Sequence, residues 1–352
     1  MGKIKAFFRN KWVGFTLAAL LYTLWFVVWT GNLWLLLGLP VIYDLYVSRL
    51  FYRYVWSRNR RMCERSKTYK AVYEWVNAIV FATVVATLVH IFVFQMYVIP
   101  TSSMEKSLLV GDYLYVSKVT YGPQMPNTPL SFPFVHHTMP FSQTKKSFSE
   151  AVKWPYHRLK GLRRIKRNDV VVFNVPHGYD RDRIEFRINY VYAKRCVGTP
   201  GDSVSIRNGY LRNNRHEGPV GDRERQRQLA ETPDSAIPPT VLRAMPFDDS
   251  LFGWTIRNLG PLYVPRAGAK IALDLRNFRL YKPLVEYETG GSLSFDGRTA
   301  RLDGKPLADY VFRKNYYFFC GDNVPNSKDS RYWGFAPEEF IIGVVKRISY
   351  SE

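Results

Sequence analysis

The sequence predicts a mostly β domain carried behind an N-terminal anchor of two to three transmembrane helices. Three observations predict it. Apolar runs with basic flanks fill the chain up to Ile99, short strand patterns punctuated by Gly and Pro follow, and no later run approaches about twenty apolar residues. With 352 residues and 47% hydrophobic content there is room for an anchor and one or two domains with a sizeable core. Many of the Lys and Arg behind the formal net charge of +21 flank the apolar segments, so an anionic lipid surface fits it better than nucleic acid. No zinc, helix-turn-helix or RNP pattern accompanies the charge. The three cysteines, Cys63, Cys196 and Cys320, form no disulfide framework and no CxxC pair, and the histidines lack HExxH spacing. No metal, nucleotide or other cofactor is implied.

Residues 1–48 read as a membrane hairpin of one or two spans. Lys3, Lys5, Arg9 and Lys11 precede the uncharged run Trp12 to Thr30, and Gly31-Asn32 turns the chain into Leu33 to Val47, where Pro40 is expected to kink a second segment. A cleavable leader is disfavoured, because no small-residue cleavage site follows the run. Residues 49–74 are strongly basic, with Arg49, Arg53, Arg58, Arg60, Arg61, Arg65, Lys67 and Lys70 opposed up to Lys70 only by Glu64, which places them in the cytoplasm by the positive-inside rule. The run Trp75 to Ile99 then crosses outward, with residues 75–96 as the transmembrane helix. Everything beyond is expected on the extracytoplasmic side.

The β portion begins with the alternating stretch Asp112 to Tyr121. Gly122 to Lys166 reads as a loop suited to a membrane interface, with Phe132, Phe134 and Trp154 among its aromatics. Strands return at Asp169 to Val175, Ile188 to Val197 and Ser203 to Arg207. Asn208 to Pro246 reads as a solvated, partly helical excursion. A hairpin is expected at Ser292 to Leu302 about Asp296-Gly297, and final strands at Tyr316 to Cys320 and Ile341 to Ile348. The implied organisation is a β-core of 97–208 and 307–352, interrupted by a second β-rich portion at 209–306.

Chemistry concentrates at Val98 to Leu108 (VIPTSSMEKSL), where hydroxyls follow directly on the third apolar run. Such a cluster can simply cap a turn, and a nucleophilic serine needs a base. No histidine sits in a suitable motif, which leaves two lysines. Ser103 and Lys106 have the SxxK spacing of penicillin-binding enzymes and class A β-lactamases, but the SDN and KTG elements of those enzymes are missing. Lys194, in YAKRCVGTPGD, lies in a strand with Cys196 on the same face. A buried face would disfavour its ammonium and leave an amine able to accept a proton, whereas an edge position would leave it an ordinary surface lysine. A third polar block, GDNVPNSKDSRYWGF at Gly321 to Phe335, occupies the end of a strand as a site-supporting loop would.

Taken in order, IPTSSM, RNDVVVFNVP, YAKRCVGTPGD and GDNVPNSKDSRYWGF resemble the type I signal peptidases, membrane-bound serine proteases with a Ser-Lys dyad. The resemblance implies a signal-peptidase-like β-domain in the bacterial inner membrane, facing the periplasm. It implies removal of N-terminal signal peptides from exported precursors after small residues, in an Ala-x-Ala pattern. The implied partners are those precursors, membrane lipids and, by proximity, the export machinery. Residue by residue, it implies Ser103 as nucleophile, Lys194 as general base, and Thr101 with the Ser103 N–H as oxyanion hole. Ser327 would orient the base, Asp329 and Arg331 would support it as an ion pair, and Gly321 and Asp322 would belong to the same loop. Tyr97, Val98, Ile99, Tyr192 and Ala193 would line the substrate pockets.

The sequence departs from that family at two positions: Ser102 stands where glycine is common, and Lys106 where proline is common. Two other readings share some of these features. A LexA-like self-cleaving protein uses Ser-Lys chemistry, but its scissile Ala-Gly precedes the serine, whereas Ala267-Gly268 follows it here. A non-catalytic β-domain binding exported chains would ignore loss of Ser103. Cys196 and Cys320 read as buried thiols, with a disulfide as the alternative.

Overall fold

A computed structural model describes residues 10–28, 33–125, 155–178 and 183–350. Phe132, Phe134 and Trp154 lie outside the described residues. The chain divides into two units, Met1–Phe92 with Gln124–Pro126 and His157–Lys160, and the rest.

The first unit is helical. Its longest helix, Lys67–Phe92, has an 18-residue window of mean hydropathy 2.0, none of it buried, and at 26 residues spans about 39 Å. Among the described residues it alone is long and apolar enough to cross a membrane. It stops short of the apolar run's end. Phe94 to Val98 are instead captured as a strand by antiparallel pairing with Tyr113 to Ser117, so tertiary pairing overrides the continuous apolar pattern. Earlier, the helix Lys11–Tyr22 starts at Asn10, whose side chain accepts from the Trp12 N–H, and continues as π-helix over Thr23–Val28. Pro40 stands where the 3-10 helix Leu33–Gly38 gives way to the short helix Leu39–Tyr43. These segments touch. The Trp12 and Phe15 rings meet Tyr43, and Gly14 has room only for hydrogen where the Tyr46 ring comes within 2.9 Å of an added Cβ.

The second unit is built on strands β1 (Phe94–Val98), β2 (Tyr113–Ser117), β3 (Val170–His177), β4 (Ile184–Gly198), β5 (Ser203–Arg207), β6 (Tyr210–Asn213), β7 (Leu259–Tyr263), β8 (Lys270–Ala272), β9 (Leu293–Phe295), β10 (Ala300–Leu302), β11 (Lys305–Pro306), β12 (Asp309–Val311), β13 (Tyr316–Cys320), β14 (Ala336–Pro337) and β15 (Ile341–Tyr350). The main sheet has the order β1-β2-β15-β3-β4-β13-β14. Alternation along β3 divides its apolar residues between two cores. Val172 packs with Ile99, Met104, Leu108, Leu114 and Val116, while Val171 and Phe173 pack with Cys196, Phe319, Trp333 and Ile341. Covered on both faces, β3 reads as a nearly unbroken apolar run.

Cys196 lies opposite Phe319 and shares its core, whereas the next residue, Cys320, lies opposite Arg195 and points into a third core. The two thiols therefore project to opposite faces, and both are free.

That third core belongs to the segment between the two halves of the main sheet. Three small sheets, β6-β5-β7, β12-β8 and β11-β10-β9, surround Val204, Leu262, Phe278, Tyr281, Leu284 and Phe312. The segment contains more helix than its sequence patterns suggest. Leu275–Thr289 is a helix, begun by Asp274, whose side chain accepts from the Asn277 N–H, and ended at Gly290 with φ +72°. Its buried positions Phe278, Tyr281, Leu284 and Val285 carry the helical spacing. The expected hairpin forms: β9 pairs with β10, Gly297 takes φ +94°, and Asp296 Oδ1 accepts from the N–H groups of Arg298 and Thr299.

Candidate active site

Ser103 sits in a single 3-10 turn, Ser102–Met104, entered from Thr101 in extended conformation. Met104, 1% exposed, anchors the turn in the core beside Leu108 and Val172. The serine itself is 8% exposed. Its Oγ is hydrogen-bonded by Lys194 Nζ and lies 3.4 Å from Thr101 Oγ1. Because β1 forms one edge of the sheet and β4 its fifth strand, this contact requires the sheet to curl until the turn after β1 reaches β4.

Lys194 is 3% exposed and lies between β3 and β13, opposite Val171, with its Nζ 4.9 Å from the centroid of the Tyr192 ring. Burial lowers its pKa to about 8, against the pull of Asp329 and with a smaller push from Arg331. At neutral pH a useful fraction is therefore free amine. Lys106 is placed very differently. It is exposed with φ +74°, and no helix continues from Ser103 to bring the pair onto one face.

The loop after β13 closes the site from behind. Asp329 and Arg331 are fully buried and paired, with Arg331 Nε donating to Asp329 Oδ1 at 2.8 Å and Nη2 to Oδ2 at 2.5 Å. The Gly321 N–H and the Ser327 hydroxyl also donate to Asp329 Oδ2, at 2.8 and 2.7 Å. Arg331 offsets burial and holds the Asp329 carboxyl below its ordinary range. Ser327 thus gives its hydrogen bond to Asp329 rather than to the Lys194 amine. Gly321 is where the loop and the serine turn meet: a Cβ there would stand 2.1 Å from Ser327 Oγ and 2.6 Å from the Ser103 carbonyl oxygen.

Asp322 does something the sequence did not disclose. Its carboxylate accepts from Arg195 Nε at 2.8 Å, Arg195 Nη2 at 2.5 Å and Ser107 Oγ at 2.6 Å, tying the lysine strand to the far end of the serine turn. Asn323 and Asn326 contribute as well. The Asn323 N–H donates to the Ser103 carbonyl at 3.2 Å, and Asn326 Nδ2 donates to Ser102 Oγ at 2.7 Å. The basic residue after Lys194 and the two asparagines of GDNVPN were the available signals.

The residues expected to line the pockets divide. Tyr97, Ile99 and Ala193 pack in the core shared with Leu114, Tyr192 faces the other side with Lys194, and Val98 is 50% exposed on the edge strand. Chemically, the arrangement offers a hydroxyl nucleophile, a buried amine to accept its proton and a second hydroxyl beside them.

Comparison with known proteins agrees with this chemistry. The family model described as "Signal peptidase, peptidase S26" matches residues 72–350. Signal peptidase I of Buchnera aphidicola subsp. Schizaphis graminum is 22% identical over 329 residues, covering 91% of this chain and 88% of that protein. Signal peptidase I of Helicobacter pylori (strain 26695) is 27% identical over 278 residues, covering 79% and 82%. That of Haemophilus influenzae is 25% identical over 287 residues, covering 77% and 67%. The chain belongs to the peptidase S26 signal peptidases, the type I serine endopeptidases that remove signal peptides from exported precursors.

Proposed function

We propose that this enzyme works through Ser103 as nucleophile and Lys194 as general base, and the observation that carries the reading is the hydrogen bond between Lys194 Nζ and Ser103 Oγ inside a buried site. Neutral Lys194 takes the Ser103 proton as Oγ attacks the scissile carbonyl. The Ser103 N–H and the Thr101 hydroxyl receive the developing oxyanion. The lysine then returns its proton to the departing amine, leaving an acyl-enzyme that an activated water hydrolyses. The Asp329–Arg331 pair with Ser327, Gly321 and Asp322 holds the β4 lysine and the serine turn in register.

Cleavage after small residues is the family's pattern, and of Tyr97, Val98, Ile99, Tyr192 and Ala193 the two placed to meet a substrate are Val98, exposed on the edge strand, and Tyr192, on the face of Lys194. The core is assembled from 97–208 and 307–352. The portion at 209–306 is inserted, and draws β5 and β12 from its flanks into its own sheets.

The anchor is multi-pass in the bacterial inner membrane, with 1–48 as a hairpin, 49–74 cytoplasmic and 75–96 leading outward. The basic flanks and the mutual packing of the two early helical segments support it. Eleven residues from Phe92 tether Ser103 within about 40 Å of the helix end. A precursor still held in the bilayer, near the lipids and export machinery, is then within reach.

Cleavage of an Ala-x-Ala precursor by wild-type and Ser103→Ala enzyme tests this. The variant is expected to lose turnover by about four orders of magnitude or more, and undiminished cleavage would move the nucleophile to another residue.

A further inference from the structure

Both departures from the family pattern in the serine turn are met by partners outside it. Ser102, in place of glycine, accepts a hydrogen bond from Asn326. Lys106, in place of proline, has φ +74°, a conformation closed to proline, whose ring holds φ near −65°. The turn therefore follows a path of its own, and a non-glycine residue in the left-handed region persists only where its surroundings hold it.

Two elements do the holding. On one side, Asn323 Nδ2 reaches the Ser102 carbonyl at 3.0 Å and Glu105 Oε2 at 3.1 Å. On the other, the helix Arg223–Glu231 of the inserted portion brings Arg225 Nη2 to 3.7 Å from the same Glu105 oxygen. Lys106 lies within electrostatic reach of Glu224 on that helix. The Arg225 side chain is 20% exposed, its Nη1 donates to Gln228 Oε1 at 3.3 Å, and its Nε is buried without a hydrogen-bond partner among the described residues.

We propose that Arg225, acting through Glu105, positions the turn that bears Ser103, so that the inserted portion is a working part of the active site. The inference rests on Ser103 being the nucleophile. Without Arg225, Glu105 swings toward Asn323 and solvent, and the turn is free to shift Ser103 against Lys194. A misplacement of about 1 Å slows such reactions about 10²-fold, so a partial shift is expected to cost about tenfold.

The test compares kcat, KM and the pH profile of precursor cleavage for the full-length enzyme and its Arg225→Ala, Arg225→Lys, Glu105→Gln and combined Arg225→Ala, Glu105→Gln variants, alongside Ser103→Ala. Arg225→Ala is expected to lower kcat about tenfold with KM and the pH midpoint unchanged. Arg225→Lys should restore most of the rate, and the combined variant should be no slower than the worse single one. If Arg225→Ala loses thermal stability along with activity, kcat of the milder Glu105→Gln decides, a drop supporting the inference and a wild-type value overturning it. Wild-type kcat in a folded Arg225→Ala, or fully additive losses in the combined variant, likewise overturns it. Full activity in Ser103→Ala would instead remove the nucleophile assignment beneath it.

Discussion

Lys194 Nζ meets Ser103 Oγ across 91 residues of sequence, and the lysine that does so is 3% exposed. Burial, the largest influence on it, disfavours the charged form and lowers its pKa to about 8.

The rate should therefore follow the free amine. Lys194 is protonated and inactive below its folded pKa of about 8, so kcat/KM is expected to rise with pH to a midpoint near that value. Lys194→Ala should abolish turnover, while Lys106→Ala should keep the greater part of it. A pH-rate profile of precursor cleavage checks the first, and parallel assays of the two variants the second; activity dependent on Lys106 and indifferent to Lys194 would reverse the assignment.

The same burial should make the base a burden on stability. Its folded pKa lies below the unfolded value of 10.5, so between about pH 8 and 10.5 the folded state binds fewer protons than the unfolded one and stability rises with pH. Below pH 8 the full penalty applies, roughly 3 kcal/mol. Lys194→Met, similar in volume and uncharged, is expected to be inactive yet more stable at pH 7 by up to that amount. Urea unfolding at pH 7 and pH 10 checks it, and the gap between variant and wild type should narrow at the higher pH.

Asp329→Asn should be severe for a different reason. It leaves the Arg331 guanidinium, 1% exposed, without its counter-charge, and removal of one partner from a buried ion pair costs roughly 3–5 kcal/mol. Chemical denaturation should report that loss together with reduced turnover, because one of the two acceptor positions, the one serving Arg331 or the one serving the Gly321 N–H and the Ser327 hydroxyl, becomes an NH2 donor.

Native cysteines can test the topology without introducing new ones. Cys63 lies in the basic segment and is half-buried, whereas Cys196 and Cys320 are buried. A membrane-impermeant maleimide is expected to label Cys63 in inverted membrane vesicles and to spare it in intact spheroplasts. Labelling in spheroplasts would put the basic loop outside and overturn the proposed orientation.

Much of this protein was legible in its sequence because the signals are local. Alternation marked β2, short apolar runs between Gly and Pro marked β3, β4 and β15, the Asp-Gly pair marked the β9–β10 hairpin, and basic flanks marked the anchor region. The long blocks around Ser103, Lys194 and Gly321 identified the family, since each keeps its chemistry within a few residues. Where pairing partners are distant the sequence was a weaker guide. Phe94 to Met96 read as the end of a membrane helix until β2 claimed Phe94–Val98 as a strand, and the helix Leu275–Thr289 lies inside a portion read as β-rich.

The sequence by itself thus marked the residues proposed for acyl transfer and set them after an apolar anchor segment. Only the tertiary structure decided which atoms meet. It brings Lys194 rather than Lys106 to Ser103, turns the Ser327 hydroxyl to Asp329, and makes Asp322 a tie between Arg195 and Ser107. The physical reason is that burial and hydrogen-bond choice belong to the curled sheet as a whole. A lysine loses its proton only where strands from distant parts of the chain close over it, and no stretch of sequence contains that enclosure.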